Sequence, residues 1–143
     1  MKTIQVRDVM SAIPHLIEPE ATLRQAAQRM EEFECGSLPV CGSGNVLKGI
    51  VTDRDIVIFG LAAGLDPDQT TIGEIMTQDV YTCQVDVTLD KAADIMSDQD
   101  VRRLVVVDAQ KRVVGVLSIS DMIKCADSDT VNDDVIHHLF RYA

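Results

Sequence analysis

The sequence predicts a mixed α and β fold built from two similar units, on three observations. A segment of the chain recurs after 66 residues without gaps: Met10 falls on Met76, Thr22-Leu23 on Thr88-Leu89, Ala26-Ala27 on Ala92-Ala93, Met30 on Met96, Leu38 on Leu104, Val40 on Val106, Gly49 on Gly115 and Asp55 on Asp121. Each copy pairs one helical apolar stripe with two short apolar runs. Each then passes through a polar turn into a second helix. A repeat decides the architecture before any single motif does, and two copies predict a pseudo-symmetric pair of sites.

Copy one opens on Val6-Arg7-Asp8-Val9-Met10, an alternating or single-turn segment, and a short extended piece follows around His15-Leu16-Ile17. Leu23, Ala26, Ala27 and Met30 recur at i, i+3, i+4 and i+7, which predicts a helix with one apolar face. Thr22 is placed to cap it, and Glu18 and Glu20 put negative charge where the helix dipole favours it. Residues 37–41 read as a strand, Gly42-Ser43-Gly44-Asn45 as a turn and 46–51 as the returning strand. A helix follows from about Asp53 to Leu61, with Gly60 and Gly64 as its stops.

Copy two repeats the order, with the stripe Leu89, Ala92, Ala93, Met96, strands over 103–107 and 113–117, and a closing helix over 119–126. The strands are nearly continuous apolar runs, so both sheet faces should be covered. Asp66-Pro67-Asp68-Gln69 joins the copies as a short loop. The chain thus divides into a first domain over 1–65, a second over 66–126 and a tail over 127–143, where Val131, Val135, Ile136, Leu139 and Phe140 predict an added helix.

A copy of about 60 residues buries only a marginal core, so two copies sharing a core is the more stable solution. Apolar residues make up 46% of the 143 but aromatics only 3%, so the core must be aliphatic. A net charge of -10 argues against nucleic acid and against an anionic membrane surface. Cys35, Cys41, Cys83 and Cys125 form no CxxC pair and no zinc-like spacing, which suits thiols in a reducing cytosol. The start has the look of no signal peptide, and the longest apolar stretch, Ile56 to Leu65, is far short of a membrane span.

Chemistry concentrates in the polar turns, Thr52-Asp53-Arg54-Asp55 and Ser118-Ile119-Ser120-Asp121, where a hydroxyl precedes a carboxylate by three residues. That spacing suits a reciprocal helix cap. It equally suits ligand binding: amides and a hydroxyl face phosphate, and the carboxylate accepts from two ribose hydroxyls. The two roles are compatible. Gly49 and Gly115 would admit a ligand or another backbone to close approach.

Val9-Met10, Ala26-Ala27, Leu38-Pro39-Val40, the run from Gly49 to Asp55 and the run from Arg102 to Asp108, in this order, resemble a tandem pair of CBS domains, a Bateman module, over about residues 3–126. The resemblance implies two β-α-β-β-α units packed as a pseudo-two-fold pair, with two clefts between them for adenosine-containing ligands. It assigns Asp55 and Asp121 to ribose, Thr52 and Ser118 to sugar and phosphate with Ser120 beside the second, and Arg54 and Arg102 to phosphate, with Arg103 adjacent. It walls adenine in the Asp121 cleft with Ala21 to Ala26 and Cys35 to Ser37, including Gly36 and Ser37. In the Asp55 cleft it uses Val87 to Ala92 and Val101 to Arg103. Gly36 stands opposite Arg102 in the alignment, so the two sites should differ. Arginine's fork suits phosphate, yet Arg102 and Arg103 on their own also read as a solvated pair near a strand start.

The implied function is regulatory binding of an adenosine nucleotide. AMP is favoured over ADP, ATP, NAD or S-adenosylmethionine because so acidic a chain has few local arginines for a polyphosphate. A homodimer, an unknown regulated protein and a cytoplasmic location go with it. The alternative is a ligand-independent interaction scaffold with vestigial clefts. His137-His138 would point in different directions on a helix and make a poor metal site. The carboxylates Asp98, Asp100, Asp127, Asp129, Asp133 and Asp134 lack calcium-loop spacing. Cys35 reads as a packed thiol. No nucleophile-base pair is visible, so the sequence predicts no enzyme activity, no catalytic residue, no catalytic cofactor and no metal.

Overall fold

Capped helix starts and tight backbone pairings organise the chain in the computed structural model, which describes residues 3–12 and 15–126. After a 3-10 turn over Val6–Asp8 come α1 (Leu23–Phe33), β1 (Ser37–Cys41), β2 (Leu47–Thr52) and α2 (Asp53–Asp55), which continues directly as a π-helix over Ile56–Leu61. Then follow α3 (Ile72–Ile75), β3 (Thr82–Cys83), α4 (Leu89–Gln99), β4 (Arg103–Val107), β5 (Val113–Ser118) and α5 (Ile119–Ala126). The fold is mixed α and β. β1 and β2 form an antiparallel pair, and β3, β4 and β5 a three-stranded sheet in which β3 runs parallel to β4. The expected tail helix lies outside the described residues.

Thr22 caps as expected, and Thr88, its counterpart in the repeat, caps α4 as well. Thr22 Oγ1 accepts from the Gln25 amide at 3.2 Å, and Gln25 Oε1 accepts from the Thr22 amide at 2.9 Å. Thr88 Oγ1 accepts from the Lys91 amide at 3.3 Å. These bonds satisfy amides that a first helical turn leaves without partners. Both helices end on a left-handed residue, Glu34 at φ 51° and Asp100 at φ 54°. The Cys35 and Val101 amides then reach back to the Met30 and Met96 carbonyls, both at 3.0 Å.

The stripes hold with one exception. Leu89, Ala92, Ala93 and Met96 are all buried, and so are Leu23, Ala26 and Met30, but Ala27 is exposed. The closing helix of copy one also differs from its expected form. The Ala62 amide bonds the Val57 carbonyl at 2.8 Å, a five-residue span that defines the π register. Gly60 is not a stop. It is buried inside the π-helix, where a β-carbon would come within 2.7 Å of Leu23 Cδ1. Gly64 ends the segment at φ 77°, as Gly64 and Leu65 amides bond the Leu61 and Gly60 carbonyls at 3.1 Å. The sheets are covered unevenly: β1 and β4 are buried on both faces beyond their first residue, whereas β2 and β5 alternate.

Packing sorts the described residues into two units, and each takes its opening segment from the other repeat. The first unit comprises 15–80 and 111–113; the second comprises 3–12, 81–110 and 114–126. In the second, the Val6 amide bonds the Val87 carbonyl at 2.8 Å, Arg7 bonds Val85 at 3.0 Å, and Leu89 bonds Ile4 at 3.0 Å. In the first, the Ile72 amide bonds Ala21 at 2.7 Å, Gly73 bonds Pro19 at 2.9 Å, and Leu23 bonds Thr70 at 3.1 Å. Every partner in one set stands 66 residues from its counterpart in the other. The first core gathers Ile17, Leu23, Leu38, Val40, Val51 and Ile72; the second gathers Val6, Leu89, Met96, Leu104, Leu117 and Met122.

Gly49 and Gly115 serve these pairings. Ile50 and Thr77 exchange amide-to-carbonyl bonds at 2.9 Å both ways; Ser11 and Val116 do so at 3.0 and 3.2 Å. A β-carbon on Gly49 would lie 2.7 Å from the Thr77 carbonyl oxygen. On Gly115 it would lie 2.7 Å from Met10 Sδ and 2.8 Å from the Ser11 carbonyl oxygen. Another backbone, not a ligand, occupies the space these glycines leave. Gly115→Ala and Gly49→Ala should each lower stability by about 1–3 kcal/mol, the usual cost of overpacking. Urea unfolding checks this, and unchanged midpoints would mean the opening segments do not pack here.

Burial pushes the Cys41 and Cys83 thiols up to about 11. A raised thiol pKa favours the folded state while the thiol is neutral in both states. That contribution is therefore complete below the unfolded value of about 8.5 and disappears as pH rises through the folded value. The urea midpoint should fall across that alkaline window, and iodoacetamide at mildly alkaline pH should spare both thiols until the chain unfolds. Equal labelling in folded and unfolded protein would contradict this.

Candidate functional site

The polar turns form where a strand hands over to a helix, and the hydrogen bonds there are reciprocal. Thr52 Oγ1 accepts from the Asp55 amide at 3.0 Å, and Asp55 Oδ2 accepts from the Thr52 amide at 2.9 Å. Ser118 Oγ accepts from the Asp121 amide at 3.1 Å, and Asp121 Oδ2 accepts from the Ser118 amide at 2.9 Å. All four residues are half-buried. The capping reading is thus correct at both turns. It does not consume the carboxylates: Oδ1 of Asp55 and of Asp121 has no protein donor among the described residues. Each turn therefore offers a held acceptor oxygen beside a hydroxyl.

A second bond fixes what lies beside each turn. The Asp53 amide donates to the Gly36 carbonyl, and the Ile119 amide to the Arg102 carbonyl, both at 3.0 Å. Ser37 pairs with Thr52 across β1 and β2. Gly36 and Ser37 thus adjoin the Thr52–Asp55 turn of the first unit, and Arg102 leads into β4 beside the Ser118–Asp121 turn of the second. Arg54, Ser120 and Arg102 are exposed, and Arg103 is half-buried. Ala26 and Ala92 are fully enclosed in the cores of their units, and Ala21 is nearly so. Val87 is half-buried and accepts the Val6 amide.

Sequence reading missed Asp53. Its carboxylate stands over Gly36, where a β-carbon would come within 3.2 Å of Oδ2, and the Arg54 amide donates to Oδ1 at 2.8 Å. The available signal was the double mismatch in the repeat, Gly36 against Arg102 and Asp53 against Ile119. Among the described residues, no three His, Cys, Asp or Glu side chains gather to hold a metal ion, and no helix is long and apolar enough to cross a membrane.

The CBS domain family model matches this chain twice, over residues 6–61 and 72–128. The chain belongs to the CBS domain family. Hypoxic response protein 1 of Mycobacterium tuberculosis is 39% identical over 118 residues, 82% of each chain. The crystal structure of Hypoxic Response Protein I, described with two coordinated zinc ions, is similar with a TM-score of 0.76 at 38% identity, covering 84% of this chain and 97% of that one. A CBS domain pair solved with 5′-methylthioadenosine and S-adenosyl-L-methionine gives a TM-score of 0.78 at 29% identity, covering 88% and 98%. This CBS pair therefore has relatives of nearly its own length, one of which holds two adenosine-containing ligands.

Proposed function

We propose that this CBS pair is a regulatory module that binds adenosine-containing ligands at the Thr52–Asp55 and Ser118–Asp121 turns, AMP foremost, without turning them over. The observation that carries this reading is the duplicated turn. Each copy leaves one carboxylate oxygen without a protein donor among the described residues, while its other oxygen and the hydroxyl cap the helix. At each turn the remaining carboxylate oxygen can accept from a ribose hydroxyl, and Arg102 and Arg103 carry charge that suits a phosphate. The adenosine ligands of a similar CBS pair support the same ligand class.

Binding alters a partner only if the ligand prefers one of two states. We assign that coupling to association of two chains in the cytoplasm. The face that supports it is on the π-helix and the loop after it, where Val57, Ile58, Phe59, Leu61 and Leu65 are exposed. A groove of about 360 Å³ runs beside it, with Leu23, Ile56, Val57, Leu61 and Leu65 on its apolar wall and Arg24, Gln28 and Glu31 on its polar one. Five neighbouring exposed apolar side chains on one face suit cover by a second chain. The same face favours the second reading, a scaffold that docks proteins without any ligand.

Calorimetry with AMP, ADP, ATP, NAD and S-adenosylmethionine separates the two. Binding of at least one is expected, and silence from all at millimolar concentration leaves the scaffold. Asp121→Ala should weaken its ligand by about tenfold or more while costing only about 1 kcal/mol of stability, the usual loss of a cap. Light scattering at micromolar concentration should report a dimer; a monomer would remove the assigned interface.

A further inference from the structure

The two repeats close their last helix differently. α5 is α-helical over Ile119–Ala126, whereas the aligned positions of the first unit pass from α2 into the π-helix over Ile56–Leu61. Up to Asp55 and Asp121 the two run alike, with the same reciprocal cap and the same latch to residue 36 or 102. The difference begins after the cap, where the Ala62 amide reaches the Val57 carbonyl at 2.8 Å instead of the Ile58 carbonyl. A π-helix is rare, so something must hold it.

Register decides which side chains share a face. In an α-helix the neighbours of Ile56 one turn on are Phe59 and Gly60, at i+3 and i+4. In the π register, which closes one residue later, they are Gly60 and Leu61. The second unit shows where the α choice leads. Met122, aligned with Ile56, is fully enclosed, and Cys125, aligned with Phe59, packs against the same core. In the first unit Ile56 is only half-buried, Phe59 is 53% exposed, and Leu61 lines the groove beside α1. Gly60 makes the π register feasible, since a β-carbon there would meet Leu23 Cδ1 at 2.7 Å, and Leu23 is itself packed in the core. A phenylalanine left in water beside a half-covered isoleucine is an unused gain for the α register.

We propose that residues 56–61 form a two-state element that passes between the π register and an α register. In the α form Phe59 turns in to cover Ile56, and Leu61 leaves the groove wall. The π form presents the exposed apolar face; the α form withdraws its aromatic ring from that face. Whatever favours one register therefore changes what the face offers to a second chain. This bearing on association rests on the dimer face proposed above. The change of register does not.

The test is amide NMR on the full chain. Helix register shifts fall in the microsecond to millisecond range, so relaxation dispersion should find exchange at residues 57–62 and none at residues 121–124 of α5. Gly60→Ala adds the β-carbon that the π register excludes. Its Ala62 amide should show hydrogen-bond coupling to Ile58 instead of Val57. Its amide shifts over 57–62 should match those of the minor state in the unaltered chain, and its dimer should be weaker. Phe59→Ala removes the ring that the α register buries and should lower the minor population about tenfold. Thermal unfolding confirms that each variant folds. Absent exchange at 57–62, equal exchange in α5, a Gly60→Ala chain that keeps the Val57 bond, or an unchanged minor population in Phe59→Ala would each overturn the switch. If Gly60→Ala takes the α register yet dimerises as tightly as the unaltered chain, the switch stands and the dimer-face reading falls.

Discussion

The reciprocal bond between a hydroxyl residue and a carboxylate three residues on is the constraint from which the rest of each unit follows. It ends a strand and starts a helix in a single step, with the orphan amides satisfied by side chains instead of water. Because one carboxylate oxygen is spent on the cap, the other is oriented without further machinery. The latch to residue 36 or 102 then sets which side chain flanks the turn. Structure and proposed chemistry are not competing for these residues. A group preorganised by the fold loses little freedom when a ligand arrives.

The charge of the molecule gives these local details their weight. A chain with a net charge of -10 repels anions over most of its surface at low salt, so any phosphate site must be made by a few nearby cations. Away from the turns, the Arg24 guanidinium pairs with the Asp68 carboxylate, whose hydrogen bond raises the arginine's pKa and lowers the aspartate's. Both side chains are about half exposed to solvent, and the pair's visible effect is to tie α1 to the loop that precedes α3. Arg102 and Arg103 stand at the start of a strand, next to a turn of the required kind.

Much of the fold was legible because periodicity and turn chemistry act locally. The stripes, the Thr22 and Thr88 caps, the hairpin turn at Gly42 to Asn45 and the start of α5 could each be read within a few residues. What escaped depends on partners distant in sequence. Ala27 and Ala93 are identical in the alignment, yet only Ala93 is covered. Gly60 looked like a helix stop because glycine usually is one; its role is to let the π-helix approach Leu23. The alignment showed that Met10 corresponds to Met76 but not which strand each would meet. The repeat marked Asp53 only by its mismatch with Ile119, because its place over Gly36 exists only once β1 and β2 pair.

The exchange of opening segments also bears on how the chain folds. Apart from residues 111–113 the first unit is continuous in sequence, and the closures within that stretch, such as Pro19 to Gly73, are moderate. The second needs Val6 to find Val87 and Ser11 to find Val116, with the first unit lying between them in the chain. Loop entropy opposes so remote a contact, and more so while the intervening residues are unstructured. Prior folding of residues 15–80 replaces that long slack with a compact body. The order this implies is first unit, then second, so a nascent chain leaving the ribosome would hold its opening segment unpaired until most of its length had emerged.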